Sequence, residues 1–305
     1  MADSGNIYGY DPSVAGAVIF MLLFLGMLAW HGHIMFKKKV WYFIPFFIGV
    51  AFEFLGFAIR LASRKDPSNI PLYAMQMLFV LLAPALFAAS IYMILGRMLV
   101  FYGAQFASIV SVRWMTRIFV IGDVLSFLLQ CGGGGLQAQG GSMAKTGSNV
   151  VIGGLVIQLI FFGMFVVTSM IANRRLCKNN WPKDGPYRIQ WQTMLNVLYC
   201  GSILILIRSI YRVAEYAEGY GGSIMTHEVY MYIFDILLMF VVTCIFIYWH
   251  PVYCMGNKVD KKAQSPMGRM PLHLRNVSQD TMEPPVMKAP QWTQTTNPGD
   301  YLNKV

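Results

Sequence analysis

Apolar residues fill seven long stretches of the chain, and polar residues gather in the segments between them. At a rise of 1.5 Å per residue, a helix of about 20 apolar residues crosses the hydrocarbon core of a bilayer. Seven windows reach this length: Val14–Phe36, Val40–Leu61, Pro71–Leu95, Thr116–Leu136, Asn149–Ala172, Thr193–Ala214 and Val229–His250. The pattern therefore predicts an all-α integral membrane protein, a bundle of seven transmembrane helices.

The composition supports a membrane protein and excludes two other classes. Of the 305 residues, 56% are hydrophobic and only 12% are charged, whereas soluble domains carry about 25% charged residues. This excludes a water-soluble enzyme, and the high hydrophobicity excludes a disordered chain. We expect three regions: a short extracellular N-terminus (1–13), the membrane domain (14–255) and a proline-rich, disordered cytoplasmic tail (256–305).

Lysine and arginine predict the orientation, because cytoplasmic loops carry an excess of them. Fourteen lie on one side of the predicted bundle and three, Arg64, Lys65 and Lys145, on the other. The fourteen are Lys37, Lys38, Lys39, Arg97, Arg113, Arg117, Arg174, Arg175, Lys178, Lys183, Arg188, Lys258, Lys261 and Lys262. The N-terminus is then outside and the C-terminus cytoplasmic. The net charge of +10 is mostly this bias and does not indicate nucleic-acid binding.

Ionisable and amide side chains inside the windows are the candidates for function, since a charged residue in mid-bilayer costs about 2.5–3.5 kcal/mol on insertion scales. Helical spacing places several on shared faces, and we expect most in the outer half, with Asp123 lower. The candidate ligand-binding residues are Glu53, Arg60, Gln76, Asp123, Gln158, Arg208, Arg212, Glu215 and Asp235.

Two interpretations of these residues stay open. They form ion pairs that lock the helices together, or they line a polar cavity that binds a charged head group. A cationic head would be accepted by Glu53 and Asp235, with Arg208 and Arg212 tuning the site. Pro84 is predicted to free the carbonyl of Val80 and to bend or loosen the third helix.

Other kinds of site find no support in the sequence. The glycines at 132–135 lack the lysine spacing of a phosphate-binding loop and predict a flexible outer loop. His31 and His33 point to different sides of one helix, so we expect no metal site and no cofactor. Motifs of intramembrane hydrolases are missing, and so are the common receptor signatures and a retinal-binding lysine in the seventh helix. We therefore expect no enzyme.

An ordered set of short motifs runs through all seven windows. They are Tyr10-Asp11-Pro12-Ser13, Glu53-x-x-Gly56-Phe57-x-x-Arg60, Leu82-Ala83-Pro84, Leu95-Gly96-Arg97, Asp123-x-x-Ser126-Phe127-x-x-Gln130, Gly153-Gly154-Leu155-x-x-Gln158, Arg208-Ser209-x-Tyr211-Arg212-x-x-Glu215, His227-Glu228 with Asp235, and His250-Pro251. With this set the chain resembles the fungal RTA-like proteins, the lipid-translocating exporter family. Phe57 departs from the family's expected tyrosine.

The resemblance implies a seven-helix protein of the plasma membrane that confers resistance. Members are associated with export of sphingoid bases, with toxic amphiphiles and with porphyrin traffic. One hypothesis is an exporter that moves an amphiphile between leaflets or out of the cell, with membrane lipids and this substrate as its partners. The alternative is a lipid- or stress-sensing receptor that regulates other transporters and contacts a cytoplasmic partner through the basic loop 174–188 and the tail.

Overall fold

The protein is described here by a computed structural model that covers residues 13–63, 70–109, 111–138, 141–179, 189–219 and 227–255. Its elements are α1 (Val14–Lys38), α2 (Ile44–Ser63), α3 (Ile70–Phe101), α4 (Val112–Ala138), α5 (Gly141–Lys178), α6 (Trp191–Glu218), α7 (Glu228–Met231, Tyr232–Leu237 and Leu238–Tyr248) and α8 (Val252–Met255). The short turns Trp41–Phe43 and Gln105–Ala107 are 3₁₀-helical. The predicted N-terminal region, except Ser13, and the predicted tail lie outside the described residues.

Within the described ranges, seven helices are long and apolar enough to cross a membrane, which confirms the predicted fold class. Large apolar side chains such as Leu22, Ile121 and Ile160 are exposed on the bundle surface, where lipid would cover them. Which terminus faces the cell exterior stays a prediction. The helices extend beyond several of the predicted windows, so that Arg97, Arg113 and Lys145 belong to helices rather than to loops.

The run of glycines at 132–135 is helical, and the predicted flexible loop is wrong. Backbone polar groups in lipid must be satisfied internally, so a helix continues through glycines that would end it in water. Gly133 and Gly147 let α4 and α5 approach closely. A Cβ atom at Gly147 would lie 2.5 Å from the carbonyl oxygen of Gly133, so these small residues form the contact between the two helices.

Helix α3 is the most enclosed of the seven: 72% of its membrane window is buried, against 17% for α1. It packs against α2, α4 and α6. Helix α1 packs against α2 and α7, with Phe24 between Phe57 and Phe240. The first and last spans therefore meet, and α3 lies inside.

Helix α1 has a defined start and a defined end. The hydroxyl oxygen of Ser13 accepts a hydrogen bond from the amide of Gly16 at 3.3 Å. At the other end Lys39 adopts a left-handed conformation, with φ of 51°, and its amide donates to carbonyls of the last turn. The basic residues 37–39 thus mark the end of the span.

Candidate functional site

Asp235 lies in a π-helical turn of α7, Tyr232–Leu237. Such a turn widens a helix by one residue and occurs frequently at functional sites. The Asp235 side chain is 1% exposed, and its two carboxylate oxygens form ion pairs with two arginines of α6, Arg208 and Arg212. One carboxylate therefore joins α7 to two successive turns of α6.

Arg212 has a second acidic partner on its own helix. Its Nη1 donates to Oε2 of Glu215 at 2.9 Å, a local pairing that the three-residue spacing on one helix permits. Both arginines of α6 are 1–2% exposed, so neither retains contact with solvent. Their positive charges are balanced by the carboxylates of Asp235 and Glu215.

Pro84 lies inside α3, and the carbonyl that the sequence predicts it to free has found a partner. Nη2 of Arg208 donates a hydrogen bond of 2.9 Å to the carbonyl oxygen of Val80. Proline at position 84 cannot donate to Val80, so this arginine takes the place of a backbone amide. Arg208 consequently connects the Asp235 carboxylate of α7 to the proline-interrupted turn of α3.

Arg60 of α2 pairs with Glu228, the first residue of α7. Nη2 of Arg60 lies 2.5 Å from Oε1 of Glu228. The same carboxylate accepts the backbone amide of Ser13, at 2.9 and 3.1 Å from its two oxygens. Glu228 thereby ties together the starts of α1 and α7 and the end of α2.

Glu53 of α2 completes this set of charges. Its side chain is 1% exposed and lies close enough to Asp235, Arg208 and Arg212 for electrostatic interaction with all three. Its Oε2 is buried without a hydrogen-bond partner. We call the whole set the charge cluster; its members are Glu53, Arg60, Arg208, Arg212, Glu215, Glu228 and Asp235. With four carboxylates and three guanidinium groups, the charge cluster carries one formal negative charge in excess.

Two small cavities adjoin the charge cluster. One of about 10 Å³ is lined by Gly56, Arg60, Gln76 and Arg212, among others, and one of about 20 Å³ by Arg212, Glu215 and Gln137. A water molecule needs about 10–15 Å³, so each cavity has room for about one water. In this conformation the site is therefore closed to a larger ligand.

Asp123 and Gln158 lie apart from the charge cluster. Asp123 on α4 is 4% exposed and lies beside the buried hydroxyl group of Tyr92 on α3. The side-chain amide of Gln130 donates to Oε1 of Gln158 at 3.1 Å and joins α4 to α5. The candidate residues thus form two groups, one at the charge cluster and one between α3, α4 and α5.

Two histidines, His31 and His250, are buried in the core of the bundle. His31 is buried against Phe43 and Phe46, and its Nε2 lies 3.2 Å from the carbonyl oxygen of Thr243. His33 is exposed on another side of α1. Among the described residues, no three His, Cys, Asp or Glu side chains come together in a group that could hold a metal ion.

A groove of about 540 Å³ lies at the opposite end of the bundle, where α6 begins and α7 ends. Half of its lining residues are aromatic: Trp30 from α1, and Tyr248, Trp249 and Tyr253 from the last part of the membrane region. Tryptophan and tyrosine are enriched at membrane–water interfaces, where their apolar rings and polar groups are both accommodated. The groove therefore suits the boundary between acyl chains and head groups.

Sequence reasoning missed three parts of the site. It did not name Glu228 as the partner of Arg60, Gln130 as the partner of Gln158, or the π-helical turn that carries Asp235. The pairing of Glu228 with a basic side chain could have been predicted, because Glu228 directly precedes a predicted span and a carboxylate at that position requires a cationic partner. The π-helical turn follows from packing and has no sequence signal.

The family described as RTA1 like protein matches residues 46–258 of the chain. Protein RTA1 of Saccharomyces cerevisiae is 37% identical over 276 residues, which cover 82% of this chain and 86% of the yeast protein. Protoporphyrin uptake protein 1 of the same yeast is 34% identical over 280 residues, covering 80% of this chain and 92% of its own length.

A third relative carries a name that states a substrate. Sphingoid long-chain base transporter RSB1 of Saccharomyces cerevisiae is 25% identical over 292 residues, covering 84% of this chain and 76% of the yeast protein. No solved structure matches the chain.

Proposed function

Because the chain belongs to the RTA1-like protein family, we propose that it moves amphiphilic lipids such as sphingoid bases or toxic amphiphiles between leaflets or out of the cell. The names of two relatives support a transport role, one for a sphingoid long-chain base and one for protoporphyrin uptake. These two names describe transport or uptake and not a chemical reaction, which supports a non-enzymatic role. We place the protein in the plasma membrane as a multi-pass protein.

The charge cluster is the observation that carries the proposal. Seven ionisable groups are gathered in an apolar bundle, although lipid disfavours each of them. If the only role of these charges were to hold the helices together by ion pairs, that would account for the residues of the charge cluster that form such pairs. Such a role does not explain Glu53, whose buried Oε2 lacks a hydrogen-bond partner, or the excess negative charge of the set.

A single cationic head group would supply what the charge cluster lacks. The ammonium group of a sphingoid base has one positive charge and three donors. Glu53 is the acceptor for it, since Asp235 is already held by Arg208 and Arg212. Because the cavities have room for only about one water each, the helices must separate at the charge cluster before the head group enters.

The test is reconstitution of the purified protein in liposomes with a fluorescent sphingoid base. Wild-type protein moves the label between leaflets, as measured by its protection from a membrane-impermeant quencher. A charge-assisted hydrogen bond contributes about 1.5–3 kcal/mol, so Glu53→Gln is expected to slow the movement about tenfold or more.

Glu218→Gln is the matched control, because Glu218 is exposed at the end of α6 and outside the charge cluster. Its rate should equal that of the wild type. If the wild type moves no label, the transport proposal fails, and a receptor that regulates other transporters takes its place. If Glu53→Gln and the wild type move label equally fast, the head-group site is wrongly assigned.

A further inference from the structure

Asp123 is a second buried acid without a cation beside it. Its side chain is 4% exposed, and its carboxylate lies within hydrogen-bonding reach of the Tyr92 hydroxyl group. None of the ion pairs among the described residues includes it. The polar group beside it is the hydroxyl of Tyr92, itself buried among the rings of Phe119, Phe162 and Phe165.

A lone carboxylate in such an environment is costly, and it becomes stable as the neutral acid or with a bound cation. Hard metal cations take six or more oxygen ligands. Among the described residues, no group of three or more His, Cys, Asp or Glu side chains that could hold a metal ion includes Asp123. A proton needs one oxygen only, so the surroundings of Asp123 fit a proton better than a metal ion.

Helix α4 carries a polar stripe that leads from Asp123 to the charge cluster. Asp123, Gln130 and Gln137 follow each other at intervals of seven residues, which keeps them on one face of the helix. Gln130 binds Gln158 of α5, and Gln137 lines the cavity of about 20 Å³ together with Arg212 and Glu215. That cavity has room for one water.

Helix α3 provides a second connection between the two acids. Tyr92, beside Asp123, lies twelve residues beyond Val80, about 18 Å along the helix. Val80 accepts the hydrogen bond from Arg208, and Pro84 interrupts the backbone hydrogen bonds between the two positions. A movement of α3 at Tyr92, the neighbour of Asp123, is therefore transmitted along the same helix to Val80 and the charge cluster.

We propose that Asp123 binds the proton that drives this transporter, in exchange for a cationic amphiphile held at Glu53. This inference rests on the transport function proposed above. One proton from one aqueous compartment adds to a carboxylate oxygen of Asp123 and leaves to the other compartment, while one substrate cation crosses in the opposite direction. No other bond forms or breaks, and the exchange moves no net charge.

The experiment uses the full-length protein in liposomes that are acidic inside by one pH unit, with potassium and valinomycin holding the membrane potential at zero. The probe is a fluorescent N,N,N-trimethyl sphingoid base, whose permanent charge prevents it from following the pH gradient by itself. Exchange of one proton for one cation sets a limit of about tenfold accumulation of the probe on the inner side for one pH unit.

Wild-type protein is expected to approach this limit, and protein-free liposomes show no accumulation. Asp123→Asn is expected to let the probe equilibrate without accumulating it. Glu218→Gln, the exposed control, should behave as the wild type. Addition of probe to wild-type vesicles should also release protons from the interior, which a trapped pH dye records, and this measurement does not depend on the folding of any variant.

Each contrary outcome has its own meaning. If the wild type equilibrates the probe but ignores the pH gradient, or follows a sodium gradient instead, proton exchange is overturned and the transport function stands. If Asp123→Asn accumulates the probe as the wild type does, Asp123 is not the proton site. If a stable Asp123→Asn moves no probe at all, Asp123 belongs to the substrate path. If the wild type moves neither this probe nor the unmethylated sphingoid base of the liposome test above, the transport function itself fails. If it moves only the unmethylated base, the transport function stands and exchange of a proton for a permanently charged amphiphile is overturned.

Discussion

At the scale of single residues, the buried charged side chains fall into two kinds, those that form ion pairs and those that do not. Asp235 contacts two guanidinium groups, and each of these groups has a further acceptor, the Val80 carbonyl for Arg208 and Glu215 for Arg212. Glu53 and Asp123 take part in none of the ion pairs found among the described residues. The first kind is expected to hold the fold, and the second kind to exchange ligands.

This distinction predicts that Asp235→Asn destabilises the protein. The change removes one negative charge and leaves two arginines that are 1–2% exposed, and breaking a buried pair costs about 3–5 kcal/mol. The midpoint of thermal unfolding in detergent should therefore fall clearly below that of the wild type. Glu53→Gln and Glu218→Gln should unfold near the wild-type temperature. An unchanged midpoint for Asp235→Asn would show that the arginines do not depend on this carboxylate.

The candidate residues could be named from sequence because charge inside an apolar window is conspicuous. Their pairing could not be predicted in the same way. Glu53 and Asp235 are both acidic and lie in similar windows. Asp235 forms ion pairs with two arginines, whereas Glu53 forms none of the ion pairs found among the described residues. That difference arises from the π-helical turn that carries Asp235 and from the Val80 carbonyl that holds Arg208.

At the scale of elements, hydropathy and length predicted seven spans correctly, whereas helix ends and irregular turns escaped prediction. In a soluble protein, the run of glycines in α4 would indicate a loop. In the structure these glycines are helical, and α5 packs closely against Gly133. Gly133 and Gly147 have no room for a side chain, while a methyl group at Gly134 or Gly153 would meet no other atom within 4 Å.

This contrast predicts opposite effects for the same substitution. Gly147→Ala places a Cβ 2.5 Å from the carbonyl oxygen of Gly133, so α4 and α5 must separate and thermal stability should fall. Gly153→Ala meets no neighbour, and alanine normally stabilises a helix by about 0.5–1 kcal/mol over glycine. Thermal unfolding of the two variants in detergent measures the difference. Equal midpoints would mean that the close approach of α4 and α5 contributes nothing to stability.

At the scale of the whole molecule, the seven spans of the described residues place the start of α1 and the end of α7 on opposite sides of the membrane. The distribution of lysine and arginine predicts that the basic ends of α1, α3 and α5 face the cytoplasm. On this orientation the charge cluster lies toward the exterior, and the aromatic groove lies toward the cytoplasm. An exporter with this orientation would release its substrate on the side of the charge cluster.

The orientation is tested with single cysteines in a protein without its five native cysteines. Helices α5 and α6 run in opposite directions, so that exposed Glu218 and exposed Lys178 lie at opposite ends of the bundle. A membrane-impermeant thiol reagent applied to intact cells should label Glu218→Cys and leave Lys178→Cys unlabelled until the cells are opened. The reverse pattern would place the charge cluster at the cytoplasmic side.

The contact between the first and the last span has a consequence for biosynthesis. Glu228 and the Ser13 amide that it accepts are 215 residues apart, and α1 also depends on α7 for its contacts with Thr243 and Phe240. A ribosome adds about 5–20 residues per second, so α1 waits roughly 10 to 40 s in the bilayer before its partner is made. During that interval the first helix must be stable in lipid without α7, with α2 as its neighbour. The first helix has few polar side chains and its lysines lie only in the last turn, so it can remain in lipid until α7 is made. When α7 then packs against it, no charged side chain of α1 has to leave the lipid.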